Sequence, residues 1–253
     1  MSQQRGAGGW ALAYVIFRLL VAAHILTGVT GAICFWVPVV ARKGGAEHRK
    51  WGRIFIPAMM LTGLWAICMS TLTLLMPLQT HPQLAGRFDA TFIRNIFGWI
   101  MLHMGILTIN LAWYGKLCIA NKTNHAANLE WRNLALQAAI LVAAINLAVR
   151  GYLAGQTLMM GAAGVGLATG ATNLYFLYKP RRKPGEWLKE HIKGLVGAGI
   201  SVYTAFMAFG SVRIFPALAL HPGMWAVPLT VGVSLIIYHQ YQVDKRFSRR
   251  QAA

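Results

Sequence analysis

Glu47-His48-Arg49-Lys50-Trp51-Gly52-Arg53-Ile54-Phe55 is a strongly basic stretch caught between two long apolar runs. The run before it covers about residues 12–41 and the run after it about 53–76. Both are long enough for the roughly 20 apolar residues that a bilayer core demands of a helix. A basic connection between two such runs reads as a turn at the membrane surface, with one helix descending to it and the next leaving it.

Working outward, five further apolar runs follow, over about 92–117, 132–150, 155–178, 190–211 and 224–241. No stretch between them is long or polar enough to fold as a soluble domain. The expectation is an all-α fold, one transmembrane domain over residues 1–253 with seven spanning helices. Composition agrees, because 57% of residues are hydrophobic and only 12% are charged. The polar lead Met1 to Gly9 carries one charge, and the first run has no small-residue cleavage site and more positive charge after it than before it. It reads as a retained helix rather than a signal peptide.

The chain holds 24 basic and six acidic residues. In a soluble protein that excess would suggest nucleic acid. Here eighteen of the 24 fall on the side of the first turn, including Arg42, Lys43, Arg49, Lys50 and Arg53, whereas Arg5, Arg87, Arg94, Arg150 and Arg213 fall on the other. The charge is therefore a topology signal: N-terminus outside, C-terminus in the cytoplasm, in a bacterial inner membrane. Anionic lipid head groups are the expected partners, other membrane subunits a second class, and nucleic acid is excluded.

The three cysteines, Cys34, Cys68 and Cys118, lie singly in apolar runs and read as packing residues. Gly155, Gly161, Gly164, Gly166 and Gly170 crowd the fifth run, with a GxxxG from Gly166 to Gly170 that suits close helix packing. Pro57 and Pro228 are expected in first helical turns, where a missing N–H costs little.

None of the six acidic residues is expected inside a hydrocarbon span, which weakens proton-pump and di-metal readings. GxSxG, HExxH and phosphate-loop signatures are absent. Histidine is left to carry any chemistry. His24 and His103 fall inside the first and third runs, at similar depth in the outer half of the membrane. Gly28 and Gly31 share a face with His24, leaving room beside its ring. One reading is a pair of axial ligands to a b-type haem, or a quinone site. The other is two interhelical hydrogen-bonding side chains. A second set, His48, Arg53, His191 and His239, is expected at the cytoplasmic face as a haem, quinone or head-group pocket or as solvated interfacial residues. His81, His125 and His221 fall in loops, with no role.

His24-Ile25 with Gly28, the HRxxGR pattern from His48 to Arg53, Trp187-x-x-x-His191 and Tyr203-Thr204-Ala205-Phe206 occur in that order. In this the chain resembles a family of bacterial multi-pass membrane proteins of unknown function. The resemblance covers the first two helices and the sixth best, and implies a membrane protein without naming a reaction. Three functions follow as expectations: an electron-transfer component holding haem or quinone through intramembrane histidines, a non-catalytic or assembly subunit of a larger complex, and a carrier of lipid or another small molecule that uses the His48, Arg53 and His191 face to hold an anionic head group.

Overall fold

The computed structural model describes residues 2–210 and 221–251. Among them seven long helices follow in order: α1 Ser2–Val40, α2 Ala46–Leu75, α3 Ala90–Ala120, α4 Trp131–Leu153, α5 Thr157–Tyr178, α6 Glu186–Gly210 and α7 Pro222–Gln251. No strand occurs among the described residues. Five of the helices, α1 to α4 and α6, are long and apolar enough to cross a membrane. α5 is diluted by glycine, threonine and Asn173, and α7 by the polar residues after Tyr238. Arg213 and the end of the sixth expected span, residue 211, lie outside the described residues.

Several boundaries differ from expectation. The polar lead joins α1, whose helix begins at Ser2. The stretch Glu47 to Phe55 is the opening of α2 rather than a turn. The turn itself is Ala41 to Gly45, where Gly44 takes a left-handed φ of 74° that other residues resist. Because α2 and α7 begin earlier than expected, Pro57 and Pro228 sit inside their helices and not in the first turns. α3 carries a π-helical segment over Arg94–Ile100, and α6 another over Phe206–Gly210.

α3 is the central helix. Of its membrane-length segment 56% is buried, against 17% for α1, and α2, α6 and α4 all pack on it. Glycines set the spacing. A Cβ on Gly63 of α2 would lie 2.7 Å from the carbonyl oxygen of Gly105 of α3, and one on Gly194 of α6 would lie 2.7 Å from the Cα of Gly115. Backbones this close gain dispersion contacts that larger residues would prevent, which is how helices hold together in lipid. Gly166 and Gly170 act likewise where α5 meets α3 and α4, whereas Gly161 and Gly164 face open space. α1 packs on α2 and turns Leu19, Leu26 and Ile33 outward. α5 packs chiefly on α4, so the α4–α5 hairpin stands beside the layer formed by α3, α6 and α7.

Candidate functional site

The basic end of the bundle brings most of the second histidine set into one neighbourhood. His48 lies within electrostatic range of His191, and Lys43 lies within electrostatic range of both His48 and His239. Each neighbouring bond is nevertheless structural. His48 Nδ1 lies 3.1 Å from the Pro38 carbonyl oxygen, which Lys43 Nζ also reaches at 2.8 Å, and Lys43 Nζ donates to Val39 O as well. These are the last carbonyls of α1, left without intrahelical donors at the helix C-terminus, where positive charge is also favoured. His191 Nδ1 pairs with Gly115 O at 2.8 Å and ties α6 to α3. Trp51 donates to Glu47, and Arg49 to the carbonyl of Gly44. Most of the HRxxGR stretch thus serves to cap α1 and brace α2. Arg53 does not join the cluster. Five positions after His48 it points about 140° around the helix, and it is exposed with no hydrogen bond or ion pair among the described residues.

His24 and His103 are not brought face to face. His24 Nδ1 pairs with Thr62 O on α2 at 3.0 Å, and His103 Nε2 pairs with Ala162 O on α5 at 3.0 Å. The two rings are held by different helices. The glycines below His24 serve helix approach rather than cofactor room, since a Cβ at Gly28 would meet Thr62 and one at Gly31 would meet Met59. His103 is buried against Gly166, and its Nδ1 has no partner. No group of three or more metal-ligating side chains occurs among the described residues.

Sequence reasoning passed over a run of buried carboxamides between α3, α4 and α5. Asn173 Nδ2 donates to Asn110 Oδ1 at 3.2 Å and to Gln137 Oε1 at 3.1 Å, and Gln137 donates to Asn133 Oδ1 at 3.1 Å. Asn133 then reaches Asn128 O at 2.7 Å, and Asn121 closes on the Asn128 side chain at 3.0 Å. Asn110, Asn133, Gln137 and Asn173 are fully buried. Amides in lipid are costly unless paired, so a chain of them fixes the register of three helices. The readable signal was four carboxamides inside apolar runs.

A cavity of about 440 Å³ lies between the α4–α5 hairpin and the α3–α6–α7 layer. Its walls are mostly apolar, with Leu107 and Leu111 from α3, Leu158 and Val165 from α5, Ile200 from α6 and Leu229 and Val233 from α7. Along α6 it runs from Lys193 to Thr204, eleven steps of about 1.5 Å each, or about 17 Å. Lys193 is the one charged residue on its wall, with Thr169 at the same end and Trp225, Thr157 and Thr204 toward the other. Neither His24 nor His103 lines it, nor does any residue of the basic-end cluster.

No protein-family model, curated protein or solved structure matches this chain.

Lys193 does not stand alone. It is ion-paired with Glu190, whose Oε2 also accepts from the buried Tyr114 hydroxyl at 2.6 Å, and it reaches Thr172 Oγ1 at 3.3 Å. Glu190, near the start of α6, is thus drawn against the bundle at its basic end. A lysine one turn after a glutamate on a helix reads in sequence as a solvated pair. Only the placement of Tyr114 and the cavity shows what the pair faces.

Proposed function

We propose that this chain is a seven-span protein of a bacterial inner membrane that binds one lipid-like molecule in the cavity between α3, α5, α6 and α7. The observation that carries the reading is the cavity itself. Its volume falls within the roughly 300–1,000 Å³ of small-molecule sites, its length suits a single chain, and a few polar groups gather at its ends. The gap is open on one side, and its apolar walls gain dispersion contacts from a molecule that enters it. Of the three expected functions, carriage or sequestration of a lipid-like molecule therefore has the strongest support. The electron-transfer reading has less, because His103 Nε2 is committed to Ala162 O and neither intramembrane histidine reaches the cavity.

Counting α5 and α7 as spans gives the expected orientation, with the α1–α2 turn and the C-terminus cytoplasmic. Reporter fusions after Gly44 and after Ala253 are expected to report the same, cytoplasmic side.

Native mass spectrometry of the purified protein tests the binding reading. Wild type is expected to retain a single lipid-sized adduct. Gly161→Trp is expected to lose it, because Gly161 lines the cavity and a Cβ there meets nothing within 4 Å, so an indole fills the space without displacing a helix. A folded Gly161→Trp protein with the same adduct as wild type would contradict the assignment.

A further inference from the structure

Resting on that reading, we infer that the cavity selects an uncharged single-chain lipid whose head offers carbonyl-type hydrogen-bond acceptors, the chemistry of quinones and long-chain ketones, and rejects fatty-acid anions.

A lone lysine at the end of an apolar tunnel would attract a carboxylate. Lys193 is already neutralised by Glu190, and both groups are largely shielded, with 20% and 16% of their side chains exposed. An incoming anion would reach Lys193, which lines the cavity while Glu190 does not, but the ammonium is already balanced by its carboxylate, so the anion would lose its hydration without a net opposite charge to replace it. A neutral head suffers no such loss.

The donors point the same way. An ammonium has three N–H groups. One serves Glu190 and one reaches Thr172 Oγ1; the ammonium also lies 5.3 Å from the Tyr114 ring centroid, and its third N–H has no oxygen or nitrogen partner among the described residues. Tyr114 cannot contribute, because its hydroxyl is spent on Glu190. The Thr169 hydroxyl lines the same end and has no hydrogen-bond partner among the described residues. Two donors are therefore free, and no unpaired charge is. A carbonyl oxygen accepts from both, and the apolar walls toward Trp225 take its chain.

The test is titration of the purified full-length protein at neutral pH with two probes of equal chain length, a decyl-substituted benzoquinone and decanoate, read by native mass spectrometry. Wild type is expected to bind the benzoquinone at least about tenfold more tightly than decanoate. Glu190→Gln unpairs the Lys193 charge and is expected to raise decanoate affinity by about tenfold, narrowing or inverting the preference. Thr169→Val leaves the ion pair intact and is expected to weaken the benzoquinone about threefold or more. It keeps the inference testable if Glu190→Gln fails to fold. Equal or tighter binding of decanoate by wild type overturns the inference while leaving the cavity reading in place. Failure of both probes to bind overturns the two together.

Discussion

His48 Nδ1 lies 3.1 Å from the carbonyl oxygen of Pro38, so the single histidine of α2 caps the end of α1. The same oxygen accepts from Lys43, which also covers Val39 O. Either residue alone keeps the Pro38 carbonyl satisfied. His48→Ala is expected to cost about 1 kcal/mol or less, whereas Lys43→Ala/His48→Ala should cost more than the sum of the two single changes, because Pro38 O is then left bare. Arg53→Ala, at an exposed position, should stay within about 0.5 kcal/mol of wild type. Unfolding in detergent micelles measures all four proteins. An Arg53→Ala effect larger than that of the double variant would refute the capping role.

Gly166 and Gly161 lie on the same helix and should respond oppositely to alanine. A Cβ at Gly166 falls well inside contact distance of His103 Cε1 and 2.9 Å from its Nε2, and His103 is pinned to Ala162 O. Gly166→Ala is expected to destabilise by about 1–3 kcal/mol, the usual cost of overpacking. Gly161→Ala, facing open space, should be neutral. Thermal midpoints of the two variants provide the comparison, and equal midpoints would contradict the packing described.

The carboxamide chain predicts coupling. Asn173→Leu deprives Asn110 Oδ1 and Gln137 Oε1 of their common donor, at about 1–3 kcal/mol for buried groups left unpaired. Adding Asn110→Leu removes one of the stranded acceptors. The double variant should therefore be less destabilised than the sum of the two single ones, with an interaction energy of about 0.5 kcal/mol or more. Strict additivity would show that the bond carries no energy.

His81 contributes to the pH dependence. It is buried between Phe17 and Phe97, with ring centroids at 5.0 and 4.7 Å, and burial pulls its pKa down to about 4 from an ordinary value of 6.5. The unfolded chain binds the proton more readily than the folded one. Stability should therefore be flat above about pH 6.5, fall as the pH drops toward about 4, and level off below, losing at most about 3 kcal/mol. Phenylalanine keeps the ring contacts, and Thr80 retains Met76 O and Pro77 O as acceptors. His81→Phe should make the profile shallower between those values by the share His81 carries, while the half-buried His48, His191 and His239 keep the rest. An unchanged slope would assign the pH dependence elsewhere.

A haem ligated by His24 and His103 would give a Soret band in the purified protein. With the rings turned to α2 and α5, no such band is expected, and a band abolished by His103→Ala would overturn this arrangement of the bundle.

Helix number and placement were legible in the sequence because apolar runs and basic connections are one-dimensional signals. Helix starts were not, since α2 gathers the polar residues Glu47 to Arg53 into its first turns once Lys43 and His48 find the carbonyls of α1. The intramembrane histidines were visible, but which neighbour each would face depends on Gly63, Gly105 and Gly166 setting helix approach. The cavity left no local trace. It arises because α5 packs on α4 and stands apart from α7, and the wall residues Leu158, Ile200 and Leu229 are indistinguishable in sequence from lipid-facing ones.

The most direct measurement of the central claim is a high-resolution density map of the protein in a native lipid nanodisc. One elongated feature is expected, running from beside Lys193 and Thr169 toward Trp225 and bounded by α3, α5, α6 and α7. A map in which α5 packs directly against α7 and closes the gap, or in which the gap holds no feature, would contradict it.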